Sequence, residues 1–287
     1  MTRSHGSSAA NGAPRRIESA GQGELDRLRE IATEVIGAHA TEPMGLYVFR
    51  PEEEAAALPQ FVAGTVFDET FGANPELLNQ EFSRYDHASV LVCVLDHKRR
   101  LPAGAMRLIV PSESGLKTIN EIEPIWGRPY TELFADAGIV YDPPRTWNLA
   151  TLAVAPDYRL PAFQGLITLA LVQASSMIAA RCDMLWTVAT MYVPVLRMLQ
   201  WKLHRPLTEF PGVEPRSYPY HNEAAGLPVW GRLYDWYGRL AERDKVLYDI
   251  MVRGTGIEPM VRAADWERAA DQVREITSLA NLRLHLR

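Results

Sequence analysis

The stretch Trp147-Asn-Leu-Ala-Thr-Leu-Ala-Val-Ala155 decides the fold of this chain. It is a continuous apolar run that contains β-branched residues and ends at Pro156, which predicts a buried strand. A nearly all-apolar segment over 163–180 follows and predicts a buried helix, and residues 184–189 predict a second buried strand. A strand, a helix and a strand joined by short connections form a parallel βαβ unit, which places the two strands side by side in one sheet.

Upstream of this unit the sequence predicts a β-hairpin. Residues 88–95 and 103–110 are strand-like, and the charged segment Asp96-His-Lys-Arg-Arg100 joins them. Gly104 lies inside the returning strand, where a glycine indicates a bulge or the close approach of another backbone. The rest of the first half supplies three more elements, which are a strand at 45–50 and amphipathic helices at 25–40 and 52–71.

The remaining segments are less regular in sequence. Residues 112–142 are predicted to be mostly irregular, with one short helix over 130–135. A helix over 192–203 follows the second buried strand. A Pro- and Gly-rich connection then leads to two helical stretches, which are predicted over 230–251 and 263–282.

Composition excludes several classes of protein. The chain has 287 residues with 47% hydrophobic and 23% charged side chains, which is typical of a globular α/β protein. Its formal charge of −5 disfavours nucleic-acid binding through phosphate neutralisation. Two cysteines and seven scattered histidines provide neither a disulfide framework nor a metal-binding motif, so no metal is expected.

The chain divides into three parts by composition. Residues 1–22 are rich in Ser, Gly and Ala, which predicts a disordered tail and no secretion signal. Residues 23–210 hold the α/β domain, and residues 211–287 hold the connection and a helical extension packed on the same domain. No apolar stretch reaches the length of a membrane span, so the expected location is the cytoplasm.

The order of these elements, together with four short motifs, resembles the GNAT acyltransferase superfamily. The resemblance is greatest to the acyl-homoserine-lactone synthases, which make autoinducers, and to the long-chain N-acyl amino acid synthases, and it spans roughly residues 45–210. The motifs are Val66-Phe-Asp-Glu69, Phe82-Ser-Arg-Tyr-Asp86, Gly104-Ala-Met-Arg-Leu-Ile-Val-Pro111 and Trp147-Asn-Leu-Ala-Thr-Leu-Ala-Val154. The resemblance implies an α/β fold with a GNAT-like mixed twisted sheet flanked by helices, followed by the helical C-terminal extension.

The sequence departs from the family at charged positions. Asn148 stands where the family has Glu on the central strand, and Thr151 stands where it has Arg. In the lactone synthases these charged groups help to handle S-adenosylmethionine. The phosphate loop, Arg159-Leu-Pro-Ala-Phe-Gln-Gly165, lacks the compact glycine pairs that expose backbone N–H groups to a pyrophosphate. The missing glycine pairs disfavour tightly bound coenzyme A, so no tightly bound cofactor is expected. The resemblance likewise implies that an acyl carrier protein, rather than coenzyme A, carries the acyl thioester.

Acyl transfer to an amine needs a slot for the acyl chain, a donor for the oxyanion and a proton acceptor. The slot is expected where the strand that begins at Trp147 splays from its parallel neighbour, beside Leu152, Val154, Leu185 and Trp186. Backbone N–H groups from Leu152 to Val154 are the expected oxyanion donors. By family position, Glu69 and Asp86 are the candidate proton acceptors, acting through water.

The full set of candidate site residues follows from these roles. The catalytic candidates are Glu69, Asp86 and Asn148. The substrate-binding candidates are Arg107, Trp147, Thr151 and Trp186, with Arg107 as an anchor for a carboxylate or a phosphopantetheine phosphate. The candidates for binding the acyl donor are Leu152, Ala153, Val154, Arg159 and Gly165.

The sequence thus predicts an N-acyltransferase that moves a medium- or long-chain acyl group from an acyl carrier protein or coenzyme A thioester to a small amino-acid-like amine. Two alternatives stay open, which are an acyl-homoserine-lactone synthase that uses S-adenosylmethionine and a catalytically inactive module that binds acyl groups or the carrier protein. The C-terminal helices, rich in Trp and Tyr, are expected either to form an oligomer interface or to cover the acyl tunnel.

Overall fold

The computed structural model describes residues 21–38, 40–72, 75–163, 165–217 and 225–285. All but the last two residues of the predicted tail, 1–22, lie outside this range. Among the helices described, none is both long enough and apolar enough to cross a membrane.

Nine strands form one mixed sheet in the described part of the chain. They lie in the order β6-β8-β5-β4-β3-β2-β1-β9, and β7 pairs with β8. The pairs β4–β5 and β1–β9 are parallel and the others are antiparallel. The strands are β1 (Met44–Phe49), β2 (Ser89–Asp96), β3 (Leu101–Ile109), β4 (Thr146–Val154), β5 (Trp186–Tyr192), β6 (Thr208–Glu209), β7 (Arg216–Ser217), β8 (Ala225–Arg232) and β9 (Val261–Arg262).

Ten α-helices accompany the sheet in the same described ranges, and α9 continues into a π-helical turn over Asp249–Arg253. They are α1 (Gln22–Ile36), α2 (Ala57–Phe71), α3 (Pro75–Ser83), α4 (Lys117–Trp126), α5 (Tyr130–Asp136), α6 (Leu166–Arg181), α7 (Val193–Lys202), α8 (Leu233–Arg243), α9 (Lys245–Tyr248) and α10 (Trp266–His285). The predicted α/β class and the βαβ unit β4–α6–β5 are confirmed.

The hydrophobic core lies on both faces of the sheet. Alternate residues of β2 point to opposite faces, since a strand has a side-chain period of two. Leu91, Cys93 and Leu95 pack with α1 in a smaller cluster, whereas the intervening valines of β2 belong to the main core together with α6.

The predicted hairpin β2–β3 is confirmed, and Gly104 performs both functions expected of it. The register of the pair shifts between Val94 and Leu95, which marks an irregularity opposite the glycine. A Cβ atom at position 104 would lie 2.3 Å from Cγ2 of Ile167, so α6 packs directly against the backbone of β3. Only glycine allows this approach.

Several elements differ from the sequence-based expectation, among them the short strands β6, β7 and β9, which were not expected. The helices α3 and α4 were not predicted, and α4 lies in the segment expected to be mostly irregular. The segment 225–232 is the strand β8, so the expectation that a helix begins at Trp230 is wrong; the helix α8 begins at Leu233. The C-terminal extension therefore contains helices and also contributes strands to the same sheet.

Candidate functional site

The strands β4 and β5 separate soon after they begin. They pair at only three positions, Thr146 with Trp186, Trp147 with Thr187 and Asn148 with Val188. Beyond Asn148 both strands continue but are no longer paired with each other, whereas β5 pairs with β8 along seven positions. The splaying expected from the sequence is confirmed, and it opens a wedge in the middle of the sheet.

A bulge in β4 marks the start of this wedge. Arg107 of β3 pairs with Thr151 and its neighbour Leu108 pairs with Leu149, so Ala150 is the extra residue. Bulges are common next to functional sites because they re-aim the strand and its side chains. Here the extra residue, Ala150, lies two residues beyond Asn148, the last position at which β4 and β5 are joined.

Backbone groups of β4 face into the wedge beyond the bulge. The N–H group of Ala155 donates to the carbonyl of Ala103 on β3 at 3.0 Å. Because successive backbone groups of a strand alternate in direction, those of Leu152 and Val154 point the opposite way, toward the side that β5 has left. The carbonyl of Val154 accordingly accepts a hydrogen bond from Nε of Arg159 at 2.8 Å.

A cavity of about 120 Å³ lies in the wedge. Its walls come from α2, α3, the start of α4, the separated parts of β4 and β5, the start of α7 and the start of β8. Its lining is part apolar and part polar. Contacts join the polar residues Glu81, Lys117, Thr118, Asn148 and Thr190, which with Thr151 are called the polar end. Ring contacts join Phe67, Phe71 and Tyr192, which with Val66, Leu152, Met191 and Val195 are called the apolar end.

Asn148 is the central polar group of this cavity. Its side chain is buried, with 1% of the residue exposed, and its Oδ1 accepts a hydrogen bond from the backbone N–H of Thr118 at 2.6 Å. A backbone N–H can only donate, so the amide oxygen must face Thr118. The amide nitrogen, Nδ2, is buried and has no hydrogen-bond partner among the residues that the structure describes. Asn148 therefore lines the cavity with a buried amide whose oxygen is used by Thr118.

A buried ion-pair cluster lies at the same polar end. Nζ of Lys117 lies 2.5 Å from Oε1 of Glu81 and 2.7 Å from Oε1 of Glu121, and the ring of Phe82 lies below the ammonium at 5.5 Å. Sequence reasoning missed Glu81 and Lys117. Glu81 immediately precedes the motif that begins at Phe82, but only the unpredicted helices α3 and α4 bring the two charges together.

Arg107 lies in the wall behind this end of the cavity. Its guanidinium is buried, donates to Oδ1 of Asp86 at 2.6 Å and to Oγ of Ser89 at 3.2 Å, and lies 4.7 Å from the centre of the Phe82 ring. Burial lowers the pKa of Arg107, and the Asp86 carboxylate opposes this shift. Arg107 lines a smaller pocket of about 30 Å³, which shares Phe82 and Thr151 with the main cavity.

The structure places the two predicted carboxylates away from the main cavity. Glu69 pairs with Arg159, with Oε2 lying 3.2 Å from Nη2, and Asp86 pairs with Arg107. Neither carboxylate lines the cavity. Gly165 adopts a φ of 79° and forms the N-terminal boundary of α6, where the left-handed backbone favours glycine.

The two predicted tryptophans also lie outside the cavity lining. Trp147 is fully buried and its Nε1 donates to Oγ1 of Thr187 at 2.8 Å, so it joins β4 to β5 at the closed end of the wedge. Trp186 contacts the ring of Trp230 and the guanidinium of Arg232. Of the other predicted residues, Asn148, Thr151 and Leu152 line the cavity, whereas Ala153 and Val154 do not.

No protein-family model matches the sequence, and no curated protein matches it significantly. Solved structures do match. The coenzyme A-dependent acyl-homoserine lactone synthase BjaI, in its complex with MTA, matches with a TM-score of 0.51 and 16% identity, over 83% of this chain and 99% of that one. FeeM, an N-acyl amino acid synthase from uncultured soil microbes, matches with a TM-score of 0.50 and 13% identity, over 71% of this chain and 99% of that one. The chain therefore has the GNAT-like fold of the autoinducer synthases and N-acyl amino acid synthases.

Proposed function

We propose that this protein is an N-acyltransferase. It moves a medium- or long-chain acyl group from a thioester, carried by an acyl carrier protein or by coenzyme A, to the amine of a small amino-acid-like acceptor. The observation that carries this proposal is the separation of β4 from β5 after Asn148, which opens a cavity that is apolar at one end and polar at the other.

The wedge supplies a place for the donor. Beyond Asn148 the facing edges of β4 and β5 do not hydrogen-bond to each other. An extended pantetheine arm can lie between these edges, in the way that a peptide adds to the edge of a sheet. The acyl chain then lies in the apolar end, among Val66, Phe67, Met191 and Val195. Burial of the chain against these side chains contributes about 0.8 kcal/mol for each methylene group.

The reaction is a direct displacement at the thioester carbonyl. The neutral amine nitrogen attacks the carbonyl carbon, a C–N bond forms, and the C–S bond breaks to release the thiolate. The negative charge that develops on the carbonyl oxygen is stabilised by the N–H groups of Leu152 and Val154, because they face the open side of β4. The proton lost from nitrogen passes to a carboxylate through water.

Glu81 is the carboxylate that we assign to this proton transfer. It lines the polar end of the cavity, and its Oε1 lies 2.5 Å from Nζ of Lys117. The sequence-based candidates Glu69 and Asp86 are each paired with an arginine outside the cavity lining, which suits them to hold Arg159 and Arg107 in place. Arg159, which follows the short turn after β4, remains the candidate contact for the phosphate group of the donor.

The named activities of the two similar structures agree with this proposal. One is a coenzyme A-dependent acyl-homoserine lactone synthase and the other an N-acyl amino acid synthase. Both names describe products in which an acyl group is attached to an amine. We extend that reaction class to this chain because its cavity has the apolar and polar ends that the two substrates need.

The test is acyl transfer by the purified protein. Acyl-coenzyme A and acyl carrier protein thioesters of increasing chain length are incubated with a mixture of amino acids, and in a separate reaction with S-adenosylmethionine as the sole amine. We expect thiol release in equal amounts to N-acyl product, measured by a thiol reagent and by mass spectrometry. Lactone formation from S-adenosylmethionine alone would favour the autoinducer synthase instead, and donor binding without thiol release would favour an inactive binding module.

A further inference from the structure

The side chain of Arg159 folds back onto the strand that precedes it. Its Nε donates to the carbonyl of Val154 at 2.8 Å, across the short 3₁₀ turn Pro156–Tyr158. Val154 is the last residue of β4, and its carbonyl points toward the side that β5 has left, because the N–H of Ala155 points to β3. The guanidinium of Arg159 therefore occupies a backbone acceptor on the open edge of β4.

This acceptor is one that the arm of a donor thioester needs. The carbonyl groups of Leu152 and Val154 face the open edge, and they are suited to the two amide N–H groups of an extended pantetheine arm. Leu152 lines the cavity in the wedge, whereas Val154 does not. Arg159 thus lies on β4 in a position that the donor arm has to occupy.

Glu69 of α2 holds Arg159 in this position. Its Oε2 lies 3.2 Å from Nη2 of Arg159, and the two side chains are 18% and 41% exposed. The contact is an ion pair without an aligned hydrogen bond, since Oε2 of Glu69 has no hydrogen-bond partner among the described residues. A phosphate group accepts two parallel hydrogen bonds from a guanidinium, so it competes well for a partly exposed arginine that is held in this way.

From these contacts we propose that Arg159 determines which thioesters the protein accepts: in the empty protein it blocks the open edge of β4, and a phosphate group on the donor releases it. This inference rests on the proposed acyl transfer from a thioester. A phosphopantetheine arm carries its phosphate at the end remote from the sulfur, so the phosphate holds Arg159 while an amide of the arm binds the freed carbonyl of Val154. An arm without the phosphate has to displace the arginine with nothing in exchange.

The chain offers a matched control for a variant of Arg159. Arg145 immediately precedes β4, at the opposite end of the strand, and does not line the cavity. It makes the same two kinds of contact, since its Nε donates to the carbonyl of Asp183 at 3.2 Å and its Nη2 donates to the carboxylate of that residue. Arg159→Ala is therefore compared with Arg145→Ala. Glu69→Gln is a third variant, which keeps the arginine but removes the charge that holds it.

Binding is measured by calorimetry with the full chain and without an amine. The probes are S-decyl-pantetheine and its 4′-phosphate, which are thioethers and cannot react. We expect the wild-type protein to prefer the phosphate by at least about 10-fold, through a charge-assisted contact with Arg159. Arg159→Ala should lose this preference and should bind S-decyl-pantetheine about 3- to 10-fold more tightly than the wild type, because the blocked fraction of the protein disappears. Arg145→Ala should behave as the wild type does.

The tighter binding separates a blocking arginine from one that only contacts phosphate. Loss of a phosphate contact cannot strengthen the binding of a probe that has no phosphate. Glu69→Gln should bind both probes more tightly than the wild type and should keep the preference for the phosphate, since Arg159 is present but less firmly held.

Two results would overturn the inference: equal affinity of the wild-type protein for the two probes, and unchanged or weaker binding of S-decyl-pantetheine by Arg159→Ala. If either is found while N-acyl products still form from acyl thioesters, the inference fails and the proposed function stands. If the expected binding pattern is found but no amine is ever acylated, the control of donor binding by Arg159 stands and the proposed function fails.

Discussion

Asp86 and Arg107 form a hydrogen-bonded ion pair whose two members lie in very different surroundings. Oδ1 of Asp86 accepts from Nη1 of Arg107 at 2.6 Å, yet the Arg107 side chain is 9% exposed and the Asp86 side chain is 45% exposed. Removing one member therefore differs in effect from removing the other, because only the arginine depends on its partner for nearly all of its charge compensation.

We expect Asp86→Ala to lower the free energy of unfolding by about 2–3 kcal/mol, because it leaves a buried guanidinium without its carboxylate. Arg107→Met should cost about 1 kcal/mol less, since the carboxylate of Asp86 regains water and the methionine still fills the space beside Phe82. Urea unfolding of both single variants and the double variant measures this asymmetry. Equal and additive losses would contradict it.

The position of Val195 at the apolar end of the cavity predicts that this residue controls which acyl-chain lengths the protein accepts. Val195 lies in the first turn of α7 and lines the cavity, so Val195→Trp fills space that we assign to the acyl chain. We expect the kcat/KM for long-chain thioesters to fall at least about tenfold while that for short chains changes little. The control is Val246→Trp, at a valine that is largely exposed on α9. A uniform loss over all chain lengths would place the chain elsewhere.

The contact between Gly104 and α6 gives a prediction about stability alone. A Cβ atom at position 104 would lie 2.3 Å from Cγ2 of Ile167, which is a stiff β-branched side chain. Gly104→Ala should cost about 1–3 kcal/mol through overpacking. In the Ile167→Ala background the same change should cost much less. Thermal or urea unfolding of the double-mutant cycle checks this coupling, and additive effects would contradict the contact.

The raised pKa values of the two cysteine thiols predict how stability and thiol reactivity depend on pH. Burial raises the pKa of Cys182 to about 11 and that of Cys93 above its ordinary value. A raised thiol pKa means that the folded state favours the neutral form. The stability that Cys182 contributes is therefore complete below its ordinary pKa near 9 and is lost as the pH rises toward 11.

Only the thiolate reacts with alkylating reagents. We therefore expect labelling of Cys182 by iodoacetamide at pH 8 to be at least about 100-fold slower than that of free cysteine, and to accelerate up to pH 11. Cys93 should react only after unfolding. Mass spectrometry of the labelled protein measures both rates. Rapid labelling of the folded protein at pH 8 would contradict the burial of these thiols and would also interfere with the thiol-release assay.

Much of the sheet could be predicted from the sequence, because its strands are continuous or alternating apolar runs with turn residues at their ends. The hairpin β2–β3 and the unit β4–α6–β5 follow from this pattern. The strand β8 could not be predicted, since Gly226, Pro228 and Gly231 are all disfavoured in strands. Its pairing with β5 is a tertiary effect that local preference does not reveal.

The site was predictable in part, and for a related reason. Asn148, Thr151 and Leu152 lie on the strand that the sequence identifies, so they were found. Glu81 and Lys117 were not, because α4 contains Thr118, Asn120 and an internal Pro124, which lower its intrinsic helical preference. No local signal brings residue 81 next to residue 117; only the packing of α3 and α4 around Phe82 does.

The strong pairing of β5 with β8 has a consequence for how the site is made during synthesis. The strand β5, one wall of the wedge, is joined to β4 at three positions and to the later strand β8 at seven. A nascent or truncated chain that ends at residue 210 therefore exposes an unprotected strand edge beside an apolar slot, which is the kind of surface that promotes aggregation. The candidate site is complete only when β8, which ends at Arg232, pairs with β5, so a chain that ends before that strand lacks one support of the wedge.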